Sequence, residues 1–154
     1  MDWITKIFDL NFEKLVPEMG VVLEKTRLLL TLLVLIGPLI LLGLGIAYLM
    51  IPTKEANYKF GYRTYFGMGG VEAWRFTQRI AGLSFCTVGA ILLLVMFVVV
   101  SDFGSRDHFQ MVSTTMTCLL WQVGVVVLIR LTIGILAAVF FDGYGNRRRE
   151  KRDY

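Results

Sequence analysis

Residues 28–51 read LLLTLLVLIGPLILLGLGIAYLMI, a run without a charged side chain that is closed by Pro52. A helix rises about 1.5 Å per residue, so about 20 apolar residues cross a hydrocarbon core of ~30 Å. This run is long enough to do so. Two further runs share the property: residues 80–100, also without charge, and residues 117–141, which carry Gln122 and Arg130. One arginine does not outweigh the leucines, valines and isoleucines around it. The first run is too long for a signal-peptide core and lacks a small-residue cleavage site, so it is read as a retained span.

Composition agrees. The 154 residues are 56% hydrophobic and 18% charged, and mean hydropathy is +0.64. A soluble globule of this size cannot hide that much apolar surface, and a disordered chain needs the opposite balance. Two cysteines make no disulfide framework. The expected fold is all-α: a three-helix integral membrane domain over residues 27–142, an N-terminal segment 1–26 and a basic tail 143–154.

Basic residues set the expected orientation. The segment 52–79 holds Lys54, Lys59, Arg63, Arg75 and Arg79; the tail holds Arg147, Arg148, Arg149, Lys151 and Arg152. Three spans put these ten on one side, against Lys6, Lys14, Lys25, Arg27 and Arg106 on the other. That favours a cytoplasmic motif segment and tail with the N-terminus outside. The net charge of +4 is then a topology signal; no nucleic-acid motif accompanies it. In residues 1–26, Trp3, Ile4, Ile7, Phe8, Leu10, Phe12 and Leu15 share one helical arc, and Asp2, Thr5, Lys6, Asp9 and Glu13 share the other. This predicts an amphipathic interfacial helix ending at Pro17 or Gly20.

Helices in lipid associate by close packing and hydrogen bonds. Candidate small-residue rows are Gly43 with Ala47, Gly82 with Cys86 and Ala90, and Gly134 with Ala138. Cys86 and Cys118 are read as small packing residues. Gly37-Pro38 should kink the first span.

The segment 57–82, NYKFGYRTYFGMGGVEAWRFTQRIAG, breaks the hydropathy pattern. Its glycines at 61, 67, 69 and 70 suggest turns or close backbone approach. From Val71 it reads helical again. Trp74, Gln78 and Gly82 share one face, directed inward, while Arg75 and Arg79 share another, toward headgroups. Trp74 with Tyr58, Tyr62 and Tyr65 also fits an interfacial aromatic belt. The glycine-rich Gly67-Met68-Gly69-Gly70 lacks a following Lys-Ser/Thr, so it is a weak phosphate cradle.

Asn57, then Gly61-Tyr62-Arg63-Thr64, then Trp74, a polar residue four later and Gly82 resemble the signature of the SdpI family, bacterial membrane proteins named for immunity to a secreted toxin peptide. The resemblance in architecture covers residues 28–142 and the motif covers 57–82. Two positions depart: Gly67 stands where the family usually has serine, and Gln78 where it usually has asparagine. The resemblance implies a bacterial inner-membrane location and points to Asn57, Gly61, Tyr62, Arg63, Thr64, Trp74, Gln78 and Gly82. Arg63 is suited to pair with a lipid phosphate, a peptide carboxylate or the side chain of Glu72. Asn57 and Gln78 are suited to satisfy loop backbone groups. The segment is either a structural plug against the helix ends or a ligand or partner site.

Arg130 sits inside its span, where a charge costs about 2.5–3.5 kcal/mol on insertion scales. Three readings stay open: bonds to carbonyls freed at the Gly37-Pro38 kink, an acidic group of another subunit, or a polar cavity. Gln122 lies two turns away on roughly the same face. Arg63 and Arg130 are read as two separate sites, a leaflet apart.

No enzyme signature, metal-ligand set or cofactor motif is evident; His108 stands beside Asp107 in a short loop. The expected partners are membrane lipid, a toxin peptide or another membrane protein, with a homo-oligomer open. The favoured function is non-enzymatic protection against, or sensing of, a membrane-active toxin peptide. The alternatives are an accessory subunit of a larger membrane complex and an oligomeric transporter or lipid-handling protein.

Overall fold

The computed structural model describes residues 2–50 and 61–148, with side chains from Val21 onward. It contains three long helices: α1 (Asp2–Met50), α2 (Val71–Ser101) and α3 (His108–Phe140). Two 3-10 turns, Phe66–Met68 and Asp102–Ser105, lie in the connections. Among the described residues there is no strand; one antiparallel bridge, Phe141 with Arg147, closes a small hairpin after α3.

All three helices are long and apolar enough to cross a membrane, over Val21–Met50, Val71–Ser105 and His108–Phe140. Their outer faces expose Leu94, Phe97, Val98, Leu120 and Leu128. Water opposes so much apolar surface; lipid accepts it. The protein is a three-span, multi-pass membrane protein. The third helix starts well before residue 117 because its early hydroxyls remain compatible with helix, as where Thr117 donates to the Ser113 carbonyl at 2.9 Å.

The sequence predicts a separate interfacial helix in residues 1–26, ending at Pro17 or Gly20. Instead α1 runs unbroken through both. A proline removes one donor and crowds one turn, a local cost that a long helix absorbs. The polar and apolar faces expected for residues 2–20 lie outside the described side chains.

The helices α1 and α2 pack most closely, backbone against backbone. A Cβ on Gly45 would lie 2.5 Å from the Cys86 backbone nitrogen, and one on Gly89 2.9 Å from the Leu42 nitrogen. Gly82 meets Leu49 and the Gly45 carbonyl. The closest approach on α1 is therefore at Gly45 rather than at Gly43; Gly43 and Gly134 face open space. Equal spacing does not fix which side of a helix turns toward its neighbour. Packing of the bulkier side chains does.

Two apolar clusters fill the bundle. One joins Val34, Met96, Val100, Phe103, Met111 and Cys118 near the α2–α3 turn. The other joins Leu41, Tyr62, Ala81, Phe85, Ile129 and Ile133 toward the opposite end. At the first end, Arg106 pairs with Asp102 at 2.9 Å and donates to the Thr114 hydroxyl.

Between the clusters, α3 is tied to α1 by Gln122, whose Nε2 donates to the Val34 carbonyl at 2.8 Å. Pro38 stands four residues after Val34 and has no N–H, so this carbonyl has no ordinary helical partner. Bonding to a carbonyl freed by Pro38, one of the three readings open for Arg130, thus falls to Gln122. Gly37 leaves room for it, since a Cβ there would collide with the Gln122 amide.

Candidate functional site

The segment before α2 turns back along the helix it precedes. Gly70 is extended, and its carbonyl accepts the first helical bond from the Trp74 amide at 2.9 Å. Trp74 and Gln78 follow on the inward face with Gly82, and Arg75 and Arg79 are exposed. The side-chain amide of Gln78 then grips the backbone of Tyr62. Its Oε1 accepts from the Tyr62 N–H at 2.9 Å, and its Nε2 donates to the Tyr62 carbonyl at 2.6 Å. Both bonds are buried, so each matters more than it would in water.

Gly61 makes this grip possible. Its φ is +133°, and a Cβ would lie 2.6 Å from the Trp74 ring. Trp74 is fully buried and Tyr62 nearly so, so neither belongs to an interfacial belt; Tyr65 remains outside at 81% exposure. The Tyr62 ring enters the helix bundle edge-on to Tyr48 and Phe85, with centroids at 6.2 and 5.6 Å. Its hydroxyl points to the Arg130 carbonyl at 3.4 Å. Burial pushes the Tyr62 phenol above its ordinary pKa, against the opposing charge of Arg130.

Thr64 starts the next turn: its hydroxyl accepts from the Gly67 amide at 3.0 Å and its carbonyl from the Met68 amide at 3.1 Å. A Cβ on Gly67 would lie 2.5 Å from the Thr64 hydroxyl and 2.6 Å from that of Thr77. Gly69 and Gly70 then meet the hairpin after α3. A Cβ on Gly69 would lie 2.6 Å from the Gly145 nitrogen, and one on Gly145 (φ +81°) would collide with Gly70. In that hairpin Asp142 accepts from the amides of Tyr144 and Asn146 at 3.0 and 2.9 Å. Arg147 pairs with Glu72 at 2.6 Å. The glycine run is a docking surface for backbone, and Glu72 is the partner of Arg147 rather than of Arg63.

Arg63 is exposed, as is Arg130. Among the described residues neither guanidinium has a hydrogen bond or ion pair. Both line two adjoining open depressions on either side of Tyr62, of about 470 and 290 Å³. The reading of Arg63 and Arg130 as two distant sites is corrected: the returning segment brings Arg63 to the same depressions that Arg130 borders. Asn57 lies outside the described residues. Gly82, though on the motif face, serves the α1 contact.

Sequence reasoning missed Tyr48, Phe85, Thr77 and Gly145. Asp142-Gly143 and Gly145-Asn146 carry the turn signals that point to this hairpin.

A helical membrane domain whose inter-span segment turns back into the bundle and receives a hairpin from the end of the last span defines a class of small three-span membrane proteins. The family model described as the SdpI/YfhL protein family matches residues 53–141, more than half the chain, and the chain belongs to that family. No curated protein and no solved structure matches it.

Proposed function

We propose that the protein is a non-enzymatic binding protein of the bacterial inner membrane that protects against, or senses, a membrane-active toxin peptide. The observation that carries this reading is the construction of residues 61–70. Gln78, Gly61, Trp74 and Gly145 hold the segment rigidly, yet Arg63 is left outward beside Arg130. A segment needed only to plug helix ends has no use for holding Arg63 beside Arg130, neither of which has an acidic partner among the described residues. In this reading the segment and the hairpin face the cytoplasm, in keeping with the ten basic residues on that side.

The test is tolerance. Deletion of the gene should sensitise the host to a membrane-active peptide. Arg63→Ala, at normal membrane abundance, should reproduce the deletion, as should Trp74→Ala through collapse of the segment. Unchanged tolerance of the deletion strain across a panel of such peptides would refute the reading.

A further inference from the structure

We infer that Arg63 and Arg130 form one oxyanion site at the membrane boundary that holds the phosphate of an anionic phospholipid. This inference does not depend on the peptide reading; it rests on depth, charge and the shape of the wall.

Depth follows from helix register. Phe76 on α2 meets Phe140 on α3 with ring centroids 5.4 Å apart. The two helices are antiparallel, so Arg130, ten residues before Phe140, stands about 15 Å along α3 from that level. Arg79 stands three residues, or about 4.5 Å, from the same level on α2. Arg79 is the last charged residue before the apolar run begins at Ile80. The Arg130 backbone is therefore about 10 Å deeper than the boundary that Arg79 marks. Contact of Tyr62 with both Phe85 and the Arg130 carbonyl agrees with this depth. An arginine side chain that starts there can extend back toward the headgroups, where Arg63 is held.

Charge follows from the lining. Two guanidiniums border the depressions, and among the described residues no aspartate or glutamate does. Two cations that border one depression at the membrane boundary, with no acid among the described residues to neutralise them, favour a ligand that brings negative charge there. A guanidinium binds a phosphate through two parallel hydrogen bonds. A zwitterionic headgroup adds an ammonium that finds no carboxylate among the described residues here, so a net anionic headgroup fits better.

The wall supplies the rest. Beside Arg130, the larger depression is bordered by Val127, Leu131 and Ile135, all with half or more of their surface exposed. Gly134 adds no side chain there. An acyl chain can lie along this face while the phosphate sits between the arginines. A soluble anion would gain nothing from it.

Native mass spectrometry tests this on the full chain released from nanodiscs of equal phosphatidylglycerol and phosphatidylcholine. The expected result is one phosphatidylglycerol retained per chain. Arg63→Gln and Arg130→Gln should each lower that retention about tenfold, and Arg79→Gln should leave it unchanged. A second measurement needs no variant: the wild-type protein should unfold at higher temperature in phosphatidylglycerol nanodiscs than in phosphatidylcholine, and inorganic phosphate should not reproduce the shift. Equal retention and equal stability in the two lipids would overturn the inference. So would full retention by a folded Arg63→Gln/Arg130→Gln double variant, or a peptide in place of the lipid. A lipid-free chain that still protects its host would overturn this site alone and leave the proposed function standing.

Discussion

Gln122 on α3 bonds the carbonyl of Val34 on α1, the carbonyl that Pro38 leaves without a helical donor. The proline and the glutamine are thus two halves of one device. Pro38 frees a buried acceptor inside the membrane, and Gln122 satisfies it from the neighbouring helix.

A double-mutant cycle reads this pairing directly. Gln122→Leu strands the Val34 carbonyl and should cost about 1–3 kcal/mol of stability. Pro38→Ala restores an N–H four residues after Val34, so in that background the same change should cost distinctly less. Reversible unfolding in mixed micelles gives the four values; strict additivity would refute the coupling.

Gln78→Leu should release the segment 61–68 without breaking the bundle. Both amide bonds to Tyr62 vanish while α1 and α2 keep their glycine contact. Hydrogen exchange at the Tyr62 amide should accelerate by about tenfold or more, as expected from losing about 1.4 kcal/mol or more of local protection. Exchange in the middle of α2 should not change.

The hairpin after α3 offers a contrast between charge and shape. Glu72 and Arg147 are both more than half exposed, so Glu72→Gln should change stability by less than about 1 kcal/mol, and less still at high salt. Gly145→Ala meets both a left-handed φ and the Gly70 backbone, and should cost about 1–3 kcal/mol. Thermal unfolding of the two variants at low and high salt separates them; a larger loss for Glu72→Gln would show that the charge pair holds the hairpin.

Tyr62 gives the site an alkaline limit. Its folded-state pKa lies above the ordinary value of 10.0 because burial disfavours the phenolate. The stability it contributes is whole below that ordinary value and is lost as pH rises through the raised one. Tyr62→Phe should flatten the alkaline fall in unfolding temperature while changing little at neutral pH. Identical alkaline profiles for the two proteins would refute it.

The spans were legible because hydropathy needs no knowledge of neighbours. The inward face of Trp74, Gln78 and Gly82 was legible for a similar reason, since residues four apart on a helix share a side. Gln78 as a partner of loop backbone could also be anticipated from its chemistry. The pairing of Arg63 with Arg130 could not. It depends on a chain reversal between residues 61 and 70 that has no period, set by a positive φ at Gly61 and by backbone docking at Gly145. The choice of Gly45 over Gly43 was hidden too, because helix rotation is settled by contacts between chains of side groups rather than by spacing. Gln122 is legible as a polar residue in a span, but its target is not, because only the packing of α3 on α1 brings the Val34 carbonyl to it.

The contact of Tyr62 with Arg130, 68 positions apart, sets an order on biosynthesis. A ribosome delivers the whole 57–82 signature before α3 exists, so the nascent segment can meet Gln78, Trp74 and Phe85 while its tyrosine hydroxyl and its Gly69-Gly70 surface still wait for their partners. The last span and residues 141–148 arrive afterwards and add the Arg130 carbonyl and the Gly145 contact. A product ending ahead of α3 would carry every signature residue and lack these two contacts.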